Sequence, residues 1–147
     1  MAENRTLHTS RVLPFSPKAV FSAFASADML ASWWGPAGFS STFDVFEFVE
    51  GGRWQFTMHA PDGTDYLNDS VFDEIVPEQK IVIHHVCPPY FRLTVDIEAQ
   101  NDGTLISWRQ QFDNASTAQA IKRRAGSANE ENLDRLAQVL GEVYSVS

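Results

Sequence analysis

His84 and His85 stand side by side in an apolar run, and an imidazole working near neutral pH can move a proton or hold a polar ligand. Strand alternation sends the two rings to opposite faces: one joins Val82 and Val86, the other Ile81, Ile83 and Cys87. Only one can point inward, and His84 is carried forward as the candidate, set against a structural histidine satisfied by a backbone group. Cys87 is the only thiol. It precedes Pro88-Pro89 with no cationic neighbour in sequence, which reads as a small buried hydrophobe rather than a nucleophile. His8, His59, His84 and His85 form no helix-spaced pair with a carboxylate motif, so no metal is expected. No Gly-x-Ser-x-Gly elbow appears, and Gly51-Gly52 is too short for a phosphate loop, so neither a catalytic residue nor a cofactor is assigned. Asp62, Asp65, Asp69, Asp73 and Glu74 crowd one hairpin, where period-two spacing places most of them in solvent. Asn68, Ser70, Arg109 and Gln110 fall in irregular alternation. An inward Arg109 would need an anionic partner such as a ligand carboxylate.

The aromatic residues carry a second kind of chemistry. Trp33-Trp34-Gly35-Pro36-Ala37-Gly38-Phe39 places two of the four tryptophans beside a stiff turn, where bulky rings either plug a core or line an apolar cavity. Trp54, Phe56 and Met58 alternate onto one strand face, and Phe91, Trp108 and Phe112 join them as cavity candidates with Trp33, Trp34, Phe39 and His84. The same residues could equally pack solidly.

These side chains need a scaffold, and the pattern predicts one. A strand from Thr6 to Pro14 leads to Ser16-Pro17, an N-cap and first-turn proline, and a helix through Ala25; Asp28 is expected to cap a second short helix entering the tryptophan loop. Six strands follow: Thr42 to Val49, Gly52 to His59, Asp65 to Val76, Lys80 to Cys87, Tyr90 to Gln100 and Thr104 to Phe112, joined by hairpin-sized turns. After Asn114 an apolar stripe of Ile121, Ala125, Ala128, Leu133, Leu136, Ala137, Leu140 and Tyr144 marks a helix closing the dry face, with a looser turn expected before Gly126.

At 147 residues with 44% hydrophobic content, one domain is expected. The net charge of −8 opposes phosphate backbones, which argues against nucleic acid. A single cysteine suits a reducing compartment, and the polar N-terminus and lack of a long apolar run predict a cytoplasmic protein without a membrane span. A monomer and a homodimer fit equally.

The order strand, two short helices, six-strand meander and long helix, together with the tryptophan loop, resembles the SRPBCC or START-like superfamily. Within it the chain is most similar to the family named after the C-terminal domain of the activator of heat-shock protein 90 ATPase. The resemblance rests on Pro17, Val20, Phe21 and Phe24, on Leu30 through Pro36 with Gly38-Phe39, and on Gly51-Gly52-Arg53-Trp54 with Phe56. Pro61-Asp62-Gly63, Glu74 through Pro77, Gly103-Thr104 and Glu131 through Leu136 extend it over residues 6 to 142. It implies an α+β helix-grip fold, a curved seven-stranded antiparallel sheet wrapped around the C-terminal helix. Superfamily relatives bind lipids, hormones or polyketides, or act on them, so an apolar or amphipathic small molecule in the space between sheet and helix is the implied ligand. A cyclase- or hydrolase-like enzyme is the alternative. A cochaperone contact is a third, weakened because the heat-shock cochaperone carries an additional N-terminal domain for which 147 residues leave no room.

Overall fold

Side-chain oxygens set where the helices begin. Ser16 accepts a hydrogen bond from Ala19 N at 3.1 Å and Pro17 fills the first turn, starting α1 (Pro17–Ala25). Ser26, not Asp28, caps α2 (Ala27–Trp33): its hydroxyl accepts from Met29 N at 3.3 Å, while Asp28 sits in the first turn, where a carboxylate favours the helix dipole. Asn114 Oδ1 accepts from Thr117 N at 2.7 Å ahead of α3 (Ala115–Val143).

The computed structural model describes residues 5–143. Around the helices lie β1 (Thr6–Leu13), β2 (Ser40–Phe46), β3 (Arg53–His59), β4 (Asp65–Val76), β5 (Lys80–His85), β6 (Phe91–Gln100) and β7 (Gly103–Phe112). They form one antiparallel sheet in the order β1-β7-β6-β5-β4-β3-β2, so the first strand closes beside the last. Pairs such as Val95↔Trp108 and Ile97↔Ile106 share the buried face. Register shifts between Phe43 and Val45 and between Phe72 and Glu74 are bulges, which bend a sheet. The inner face packs against α3 through the fully buried Leu133, Leu136 and Leu140. This is the α+β helix-grip fold.

Several boundaries differ from expectation. The helix α3 runs 29 residues straight through Gly126, because a long packed face outweighs a glycine penalty of about 1 kcal/mol. β2 starts two residues early and stops at Phe46, and the chain then turns so tightly at Gly52 that a Cβ there would lie 2.1 Å from the Glu47 carbonyl oxygen. β5 stops at His85, after which Val86 N binds Asp69 O. Tyr144 lies outside the described residues. Arg109 is half exposed and pairs with Asp96 at 3.0 Å, which overturns the inward reading.

Candidate functional site

The two adjacent tryptophans have different anchors. Trp33 ends α2, is fully buried, and donates its indole N–H to the Ala23 carbonyl at 3.0 Å, with its ring edge-on to Phe24. Trp34 caps the helix in extended geometry and keeps 8% of its surface exposed. Its ring lies between Trp54, with centroids 4.9 Å apart, and Trp108, at 5.8 Å. Beyond it the backbone turns through Gly35 at φ +106°, where a Cβ would meet Met58 Cε at 2.9 Å.

The helix α3 holds this loop by its backbone. Asn132 Oδ1 accepts from Gly35 N at 3.0 Å, and Glu131 Oε1 accepts from Ala37 N at 3.1 Å. Arg135 Nη1 reaches the carbonyls of Trp34, Gly35 and Pro36, and Nη2 donates to Ser32 O. Partial burial lowers the Arg135 pKa from its ordinary value, and the converging carbonyl dipoles stabilise its charge. Sequence reasoning assigned no role to these three residues. Asn129 and Asn132 fall in register with Leu133, Leu136 and Leu140, and amides in an apolar register were the available signal.

Trp54, Phe56 and Trp108 are fully buried on the inner face, and Trp54 stacks on Phe56 at 4.4 Å and on Phe72 at 5.7 Å. Met58 packs half-buried beside them, and Phe39 sits at the rim against Tyr66. Phe91 and Phe112 form a separate edge-on pair, joined by His85, which stacks on Phe91 at 4.6 Å. Three buried polar atoms among the described residues have no hydrogen-bond partner: Ser41 Oγ, Trp54 Nε1 and Trp108 Nε1. Ser41 pairs in register with Met58 on β3. Unpartnered groups of this kind are rare in native interiors.

The histidines exchange their expected places. His84, the inward candidate, is half-exposed with Nδ1 3.8 Å from Asp73, because the parity of β5 gives the inner face to Ile81, Ile83 and His85. His85 Nδ1 lies 2.7 Å from Pro89 O, and Nε2 lies 2.7 Å from Asn68 Oδ1 and 3.5 Å from Cys87 Sγ. Desolvation lowers the pKa of His85, opposed by hydrogen bonds to the Pro89 and Cys87 backbone and by Asp69. Cys87 thus has His85 as a neighbour, the histidine that alternation places on its own face. No group of three or more His, Cys, Asp or Glu that could hold a metal occurs among the described residues, and no described helix is long and apolar enough to cross a membrane.

A curved sheet gripping a helix, with a tryptophan loop pinned to that helix, defines the START-like class. Residues 14–141 match the family described as Activator of Hsp90 ATPase homolog 1-like protein, and the chain belongs to that family. Among solved structures, a protein from Nitrosomonas europaea is similar at 15% identity with a TM-score of 0.88, covering 97% of this chain and 98% of that one. A protein from Arthrobacter aurescens reaches 20% identity and a TM-score of 0.87, over 97% and 89% of the two chains. An AHSA1-like protein from Aeromonas hydrophila reaches 18% and 0.77, over 94% and 93%. No curated protein matches in sequence.

Proposed function

We propose that the chain is a binding module for a neutral, carbonyl-bearing apolar molecule, received between the sheet and α3 on displacement of the Trp34 ring. The observation that carries this reading is the pair of unpartnered indole N–H groups, Trp54 Nε1 and Trp108 Nε1, on the two rings that flank Trp34. Each unpaired buried donor costs on the order of 1–3 kcal/mol, and aromatic faces are weak acceptors. An oxygen brought by a ligand removes that cost, while the surrounding rings accept its hydrocarbon part.

A neutral oxygen suits the site better than a carboxylate. A buried anion needs a partner charge, Arg109 is committed to Asp96, and Arg135 is committed to the loop carbonyls. Trp34 is the ring to move: it is buried but keeps 8% of its surface exposed on a glycine-bounded turn, whereas Trp33 is fully buried and locked by its bond to Ala23.

The test compares benzophenone with diphenylmethane, which lacks only the oxygen, by tryptophan fluorescence titration. The ketone is expected to bind about tenfold tighter, the worth of one recovered hydrogen bond. Equal affinities, or no binding of either compound, would contradict the proposal.

A further inference from the structure

We propose that the start of β4, from Asp65 to Asn68, is a docking edge for an extended peptide in which basic and apolar side chains alternate, added to the sheet as one more strand. The sheet has a notch there. β4 runs 12 residues from Asp65 to Val76, but β5 pairs only with the part from Ser70 to Val76. On its other side β4 is paired throughout its start with β3, through His59↔Asp65, Met58↔Tyr66, Thr57↔Leu67 and Phe56↔Asn68. Among the described residues no strand pairs with Asp65 to Asn68 on the β5 side.

Hydrogen bonds farther along β4 fix where its backbone groups point. Phe72 accepts from Gly51 N at 2.7 Å and donates to Gly52 O at 3.0 Å, both on the β3 side, whereas Asp69 O accepts from Val86 N at 2.9 Å on the β5 side. Backbone groups alternate between the two edges of a strand. Leu67 and Asp65, in step with Asp69, therefore aim N–H and C=O into the notch, while Tyr66 and Asn68 aim theirs at β3. Unpaired edge donors and acceptors of this kind are a template for a further strand.

The side chains select which strand. Leu67 is 80% exposed, and Tyr66 is half exposed beside Phe39. Leu67 shares its face of β4 with Asp65 and Asp69, and it lines a groove with Asp69, Asp44 and Gln55 that has no cation among its lining residues. A lysine or arginine at alternate positions of the incoming strand lays its methylene stem over Leu67 and its charge beside these carboxylates. The intervening side chains fall on the face of Tyr66, where apolar groups fit. A second copy of this chain fits worse. Antiparallel pairing about Leu67 would set Asp65 of one copy opposite Asp69 of the other, and like charges directly opposite oppose pairing between chains that each carry −8.

An end-blocked hexapeptide alternating lysine and valine is the probe, titrated into the full chain and followed by the Leu67 amide in nitrogen–proton spectra. Saturable binding is expected, with the Leu67 amide shifted and its hydrogen exchange slowed. The analogue N-methylated at every residue keeps the charge but loses the donors, and should bind about tenfold more weakly. The glutamate–valine peptide should not bind. L67P removes an N–H that no ladder bond uses, so it should keep the native circular dichroism and lose the peptide. Should L67P fail to fold, L67K decides instead: like charge at the edge should weaken binding about tenfold. Absence of saturable binding overturns the proposal, as do equal binding of the N-methylated peptide, an unmoved Leu67 amide, and full affinity in folded L67P or L67K. Equal binding of the glutamate peptide overturns the partner class. Protection of the Leu67 amide that grows with protein concentration, without peptide, gives the edge to a second copy and overturns the proposal as well.

Discussion

Arg135 Nη1 lies 2.9 Å from the carbonyl oxygen of Gly35, joining positions 100 residues apart. The same nitrogen reaches the flanking carbonyls of Trp34 and Pro36, so one guanidinium closes the turn that carries the tryptophan pair. A lysine ammonium cannot reproduce the planar fork that also reaches Ser32 O. R135K should therefore lose about 1–3 kcal/mol of stability, read as a lower urea midpoint with unchanged slope. An unchanged midpoint would show that the clamp adds nothing.

The tryptophans supply an internal comparison, since one chemical change acts on two hydrogen-bond states. W33F removes a satisfied donor and strands the Ala23 carbonyl, whereas W54F and W108F each remove a donor with no partner. Loss of ring volume is common to all three. W33F is expected to cost about 1–3 kcal/mol more than either of the others in urea unfolding. Equal costs would mean that the two orphan N–H groups are satisfied in solution.

In the proposed binding mode, displacing Trp34 is a barrier that the ligand overcomes before it meets Trp54 and Trp108. W34A removes that barrier, so benzophenone should bind to it about tenfold more tightly than to the unaltered protein. Weaker binding to W34A would instead make the ring part of the binding surface.

His85 makes stability depend on pH in a defined direction. Burial holds its folded-state pKa below the ordinary histidine value of 6.5, so in the window below 6.5 the unfolded chain takes up a proton that the folded chain resists. Stability from this group is full above that pH and is lost as pH falls toward the folded pKa. Thermal unfolding midpoints should fall on acidification from neutral pH, and H85Q should flatten the profile. A profile of the same slope in H85Q would remove His85 as its source.

Much of this architecture is legible in the sequence because it is written in local chemistry. Ser16-Pro17 marks α1, period-two alternation marks β6 and β7, and the Trp33 to Phe39 segment with Gly51-Gly52-Arg53-Trp54 marks the family. The site is less legible because it depends on partners far apart in the chain. Parity alone left His84 and His85 equivalent, and only the pairing Ser70↔His85 with the buried Ser70 settles which ring turns inward. The bond from Gly35 to Asn132 spans 97 positions, and no local pattern reports it. The Cys87–His85 contact was legible, because alternation placed both residues on one face, although β5 itself stops at His85.

Trp54 and Trp108 each bury an indole N–H without a partner, the donors proposed to meet a ligand oxygen, and their N–H resonances test that role directly. In nitrogen–proton correlation spectra, assigned by single Trp→Phe variants, saturating benzophenone should move the Trp54 and Trp108 indole signals downfield. The Trp33 signal, already bonded to Ala23, should stay in place. Unmoved Trp54 and Trp108 signals at saturation would contradict the account.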